Sequence, residues 1–135
     1  MRLLTDVPGG WQREHVAHGT QLVAPGGEIK VLVTELFAPG KSPEEWLRLA
    51  VGAPGTLSHA ATPLGWAYTL LETGGEQPRL GALLDAADFA GAIIAHCRSA
   101  RRRPGWREDI LALIHSARPD FRQTEAACLA EQVLA

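Results

Sequence analysis

At 135 residues, with 46% hydrophobic and 21% charged side chains and a net charge of −2, the chain has the make-up of an ordinary globular protein. A chain of this length buries roughly two-thirds of its unfolded surface. The charge balance argues against nucleic acid or an anionic membrane as a partner for the whole molecule, and no apolar run is long enough to span a bilayer. Cys97 and Cys128 are the two cysteines, which imply no disulfide framework. The start, MRLLTDVPGGW, has too short an apolar segment for a signal peptide, so the expectation is a cytoplasmic protein.

The first turn signal is Val7 to Gly10, with Trp11 behind it. Gln12 to Ala17 and Thr20 to Ala24 read as short strands, and Pro25-Gly26-Gly27 as a turn. Glu28 to Phe37 (EIKVLVTELF) is the strongest strand; Ile29, Val31, Val33 and Phe37 point to one face, Lys30, Leu32, Thr34 and Leu36 to the other. After the breaker Ala38 to Lys41, Ser42 stands as an N-cap, Pro43 as the first helical residue and Glu45 at the capping-box position. A helix over 43–51 is predicted, burying Trp46, Leu49 and Ala50. Gly52 to Pro63 reads as a loop without usable period.

Three strands follow between Gly65 and Arg98: one within 65–74, one over 80–87 and one over 92–98, with Asp88 to Gly91 as a turn. The segment Arg101 to Gly105 leads into a helix over 106–116, in which Ile110, Leu113, Ile114 and Ala117 recur at helical spacing. Arg118-Pro119 stops it. Thr124 caps a last short helix carrying Ala127, Leu129, Ala130 and Val133. Short turns favour antiparallel neighbours, since a parallel pair needs a crossover of about a dozen residues. The expected architecture is α+β, one domain over 1–135, with helices packed on an antiparallel sheet.

Few residues are placed for chemistry. His15 and His18 lie three apart, and adjacent His96 and Cys97 face opposite sides of a strand, so neither pair makes a metal site. Ser58-His59 lacks a nucleophile elbow. Glu44 and Glu45 suit a helix first turn, and turn chemistry accounts for Asp88 beside Asp85. The paired glycines at 9–10, 26–27 and 74–75 read as turns, and no phosphate-binding fingerprint is present. No cofactor and no catalytic residue is expected. The concentrated charge is Arg98, Arg101, Arg102, Arg103 and Arg107, with Trp106 at the start of a helix. Arginines beside a helix amino terminus and a tryptophan suit an anionic partner; a solubilising loop is the alternative. The expected binding residues are therefore Arg101, Arg102, Arg103, Trp106 and Arg107, with the first three exposed. The four tryptophans, Trp11, Trp46, Trp66 and Trp106, are expected in the core.

The start VPGGW, the strand EIKVLVTELF, the stretch PGKSPEEWLRLA and the closing AGAIIAHC and WREDILALIHSARP resemble the PsbP/Mog-like family, including its DUF1795 proteins. The resemblance implies an α/β/α sandwich with a central, mostly antiparallel sheet flanked by helices. It also implies a binding role, since members include photosystem accessory subunits, a Ran-binding factor and chaperones of type VI secretion effectors. It carries over no catalytic residue. The leading expectation is a non-catalytic soluble adaptor, of the bacterial secretion-chaperone kind, holding an acidic or amphipathic segment of another protein or forming a homodimer. Nucleic acid and membrane insertion are not expected. The alternative is a small enzyme or small-ligand binder with a pocket between sheet and helix, using His96, Asp85 and His115.

Overall fold

The computed structural model describes residues 2–17, 19–35, 42–86 and 89–120. In chain order the elements are β1 (Arg2–Leu4), β2 (Gln12–Val16), β3 (Gly19–Val23), β4 (Ile29–Glu35), α1 (Pro43–Val51), β5 (Thr56–Ala61), β6 (Ala67–Glu72), β7 (Arg79–Ala86), β8 (Phe89–Cys97), α2 (Trp106–Ser116) and β9 (Arg118–Asp120). Seven strands form one sheet in the order β2-β3-β4-β8-β7-β6-β5, while β1 and β9 pair separately. Every described pairing is antiparallel. The class is α+β with an antiparallel sheet and two helices among the described residues.

Strand alternation sorts the side chains into two apolar layers. Ile29, Val31 and Val33 of β4, Leu80, Ala82 and Leu84 of β7, and Ile93, Ala95 and Cys97 of β8 cluster with Ile110, Leu113 and Ile114 of α2. The intervening residues Leu83 and Ala92 cluster with Leu47 and Val51 of α1, and half-buried Trp46, Leu57 and Ile94 pack against them. The helix α1 comes close to the sheet at Gly81, where a Cβ would stand 2.6 Å from Val51 Cγ2 and 3.2 Å from Leu47 Cδ2. Removing the side chain at Gly81 is what lets Leu47 and Val51 reach the strand backbone.

The caps of α1 follow from the sequence. Ser42 Oγ accepts from the Glu45 N–H at 3.2 Å, Pro43 opens the helix, and Gly52 closes it at φ 71°, donating its N–H to Arg48 O. Glycine takes that left-handed cap without the Cβ penalty. The buried face of α1 is one residue away from expectation: Leu47 and Val51 are buried, Trp46 is half-buried, and Leu49 and Ala50 are exposed. The i, i+4 pair Leu47–Val51 is the wider contact with β7, so the helix turns that stripe inward.

Other differences have physical causes. The segment 52–63 contains β5, an edge strand whose Leu57 alone is turned inward; with Ser58, His59 and Ala60 exposed, it shows no clean alternation. Residues Phe89 to Gly91 belong to β8, not to a turn, and pair with Ala86, Asp85 and Leu84. Arg118-Pro119 ends α2 but continues as β9, pairing with β1. The expected last helix after Thr124 and the ends of the strands expected at 29–37 and 80–87 lie outside the described residues.

Ile114 is fully buried and Leu49 is 65% exposed. Ile114→Ala is expected to lower the stability measured by urea unfolding by about 2–5 kcal/mol. Leu49→Ala is expected to change it by no more than about 0.5 kcal/mol.

Candidate functional site

The arginine-rich connection is ordered by a small hydrogen-bonded turn. Ser99 Oγ donates to Glu76 Oε1 at 2.6 Å and accepts from the Arg102 N–H at 3.2 Å. Arg103 N donates to Ser99 O, and Trp106 N to Arg103 O, which hands the chain to α2 at Gly105.

This geometry divides the arginines. Arg103 is half-buried: Nε and Nη2 donate to Asp109 Oδ2 at 3.3 and 3.0 Å, and Nη1 donates to Pro25 O at 3.3 Å. Its guanidinium carbon lies 5.9 Å from the Trp11 ring centroid, a cation–π distance. Arg107 grips both oxygens of Glu72, at 2.6 and 3.3 Å; that hydrogen bond, foremost among the causes, holds its guanidinium pKa above the ordinary value. Arg102 is 77% exposed and faces Glu28 at 3.7 Å. Arg101 and Arg98 are exposed, and neither side chain forms an ion pair or hydrogen bond among the described residues. Trp106 is half-buried against the α2-side core, as are Trp11 and Trp66, while Trp46 packs on the α1 side. The expectation of three exposed arginines therefore holds for Arg101 and Arg102 and is corrected for Arg103, whose fork fits Asp109, Pro25 and Trp11.

Two polar contacts fix α2 along β6. Arg107 meets Glu72 at one end, and His115 Nε2 shares a hydrogen bond with Tyr68 OH at 3.3 Å at the other. The eight residue steps from Arg107 to His115 rise about 12 Å. The four residue steps from Tyr68 to Glu72 span about 13 Å. The two spacings match, so α2 runs against the direction of β6.

His96 and His115 are kept apart. His96 is on the side of β8 that carries Ile94, which faces α1, while Cys97 and Ile93 face α2. His96 is also registered with Arg79 at the start of β7, whereas the Tyr68 partner of His115 is registered with Leu84. The Asp85 side chain lies outside the described residues. Cys97 is buried, and that burial pushes its thiol pKa up. Among the described residues no three His, Cys, Asp or Glu side chains gather as a metal site, and no helix is long and apolar enough to cross a membrane.

Register also assembles a group the sequence alone does not reveal. Lys30 of β4 and Arg79 of β7 both stand opposite His96, one on each side. Arg79 Nη1 donates to Val51 O at the carboxyl end of α1, at 2.9 Å.

No protein-family model matches this chain, and no curated protein does. Among solved structures, the solution structure of cyanobacterial PsbP (CyanoP) from Synechocystis sp. PCC 6803 matches with a TM-score of 0.59 at 11% identity. The match covers 88% of this chain and 92% of that one. The fold is PsbP-like. At that identity the likeness is one of fold alone, and no functional residue is carried across.

The split between structural and free arginines is measurable by thermal unfolding. Arg103→Ala is expected to cost about 1–2 kcal/mol, through loss of charge-assisted hydrogen bonds and the contact with Trp11. Arg101→Ser is expected to stay within about 0.5 kcal/mol of the parent.

Proposed function

We propose that this protein is a non-catalytic adaptor that holds an acidic segment of another polypeptide at the corner where β8 passes into α2. The single observation that carries the reading is the pair of exposed guanidiniums of Arg101 and Arg102, displayed on a turn that Arg103, Trp106 and Arg107 anchor. An exposed cation on an anchored turn gives a partner's carboxylates a fixed place to dock, with little ordering entropy to offset. In finer form, the reading is a DUF1795-type α/β/α sandwich serving as a bacterial, cytoplasmic, secretion-associated chaperone. The two clusters on alternate strand positions support the layering. The alternative of an enzyme pocket using His96 and His115 finds no support in their placement on opposite faces of the sheet.

The test begins with a partner isolated by copurification and identified. Its affinity is then measured by calorimetry at low and physiological salt for the parent and for Arg101→Ser/Arg102→Ser. The double variant is expected to fold normally, to bind about two- to tenfold more weakly at low salt, and to lose much of the salt dependence. Equal affinities and equal salt slopes would leave these arginines as a solubilising turn.

A further inference from the structure

The basic character of this end of the sheet extends beyond the corner. Lys30, His96 and Arg79 lie side by side across β4, β8 and β7, in direct register. All three point to the α1 side of the sheet, alternating with the α2-facing residues Ile29, Cys97 and Leu80. Arg98, two residues beyond His96, continues the row at the strand end. Lys30, Arg79 and Arg98 are exposed and His96 is half-buried. Among the described residues α1 covers this face over β6 and β7, and Val23 and Leu32 remain half-buried beside Lys30.

Lys30 and Arg79 are like charges on strands two apart, about 10 Å from each other, with the His96 imidazole between them. Among the described residues Glu28 faces Arg102 at 3.7 Å and Glu76 accepts from Ser99 at 2.6 Å, and neither forms an ion pair with Lys30, Arg79 or Arg98. Lys30 and Arg98 form no ion pair among the described residues, and Arg79 Nη1 donates to the Val51 carbonyl. Burial, then the charges of Arg79, Arg98 and Lys30, in that order, hold the His96 imidazole below its ordinary value of 6.5. The facing groups are thus a cation from β4, a cation from β7 and a cation on its own strand, with the α1 carbonyl end touching Arg79. An anion placed between these cations is attracted by each of them.

We propose that the row Lys30–His96–Arg79, with Arg98, is a binding site for carboxylate side chains of an acidic peptide segment, lying across the strand ends on the α1 side of the sheet. The inference rests on the adaptor reading and extends its contact surface beyond Arg101 and Arg102. The spacing of the row suits an extended segment. Three adjacent strands set the backbones of the outer members about 10 Å apart, a width that leaves room for more than one anionic group. Carboxylates two apart on an extended segment are about 7 Å from each other, so two of them straddle His96, one toward Lys30 and one toward Arg79. The half-buried Val23 and Leu32 supply an apolar border.

Proton linkage gives the site a signature. An anion beside His96 raises its pKa toward and beyond the ordinary value, so binding takes up a proton and tightens as pH falls through that range. The test uses the full chain, hexaglutamate as the peptide probe and inorganic phosphate as the small-anion control, with the His96 ring followed by NMR. Hexaglutamate is expected to shift the His96 titration midpoint upward. Lys30→Gln/Arg98→Gln should weaken its binding about two- to tenfold, from the loss of two exposed charges. Lys30→Glu, in which Lys30 is exposed and unpartnered, should raise the His96 midpoint without any peptide and abolish the peptide-induced shift. If binding weakens only in Arg101→Ser/Arg102→Ser and His96 does not respond, the row is not the site and the adaptor reading stands. If no variant changes the binding of hexaglutamate, or it does not bind, both are overturned. A phosphate shift of His96 equal to or larger than that with hexaglutamate at matched charge overturns the peptide occupant.

Discussion

The strands β7 and β8 present apolar side chains to both faces of the sheet, and the remaining elements are placed by the need to cover them. Ile93, Ala95 and Cys97 turn one way and Ala92 and Ile94 the other; Leu80, Ala82 and Leu84 alternate in the same manner with Gly81 and Leu83. A strand buried on both sides needs a partner layer above and below, since exposed apolar area costs roughly 25 cal/mol per Å². α2 supplies one layer with Ile110, Leu113 and Ile114, and α1 the other with Leu47 and Val51. Gly81 lets α1 approach, while the Arg107–Glu72 and His115–Tyr68 contacts set the orientation of α2.

That arrangement also decides which charges are structural. Arg103 and Arg107 emerge next to α2 and are consumed in holding it: one bridges Asp109, Pro25 and Trp11, the other clamps Glu72. Arg98, Arg101 and Arg102 emerge at the rim. Lys30, His96 and Arg79 are brought together only by sheet register. A chain with a net charge of −2 thereby gathers several cations at one end, felt most by partners within a Debye length of about 8 Å.

The elements most legible in the sequence are those whose burial is one-sided or complete. EIKVLVTELF is a run of β-branched and aliphatic residues between turn signals, and Ser42, Pro43 and Glu45 mark a helix start that the Ser42–Glu45 hydrogen bond realises. Ile110, Leu113 and Ile114 give the face of α2 directly. The strand β5 was illegible because an edge strand with one inward residue has no period to read. The buried face of α1 is not legible in the sequence because Leu49 and Leu47 are equally apolar, and the approach of Val51 to Gly81 chooses between them. Of the candidate site, the run Arg98 to Arg107 announces positive charge, but its sequence cannot say which guanidiniums are already taken. The Lys30–His96–Arg79 row joins residues far apart in the chain through strand pairing, so no local motif records it.

Native-state hydrogen exchange tests the central claim, that the doubly covered strands β7 and β8 hold the fold together. Amides of the paired interiors of β7 and β8 are expected to exchange only through global unfolding, with free energies equal to the value from denaturant titration. Those of the edge strands β2 and β5, exposed along most of their length, are expected to exchange by local opening at distinctly lower free energies. Amides of β2 or β5 protected as strongly as those of β8, or β8 amides exchanging well below the global value, would contradict the account.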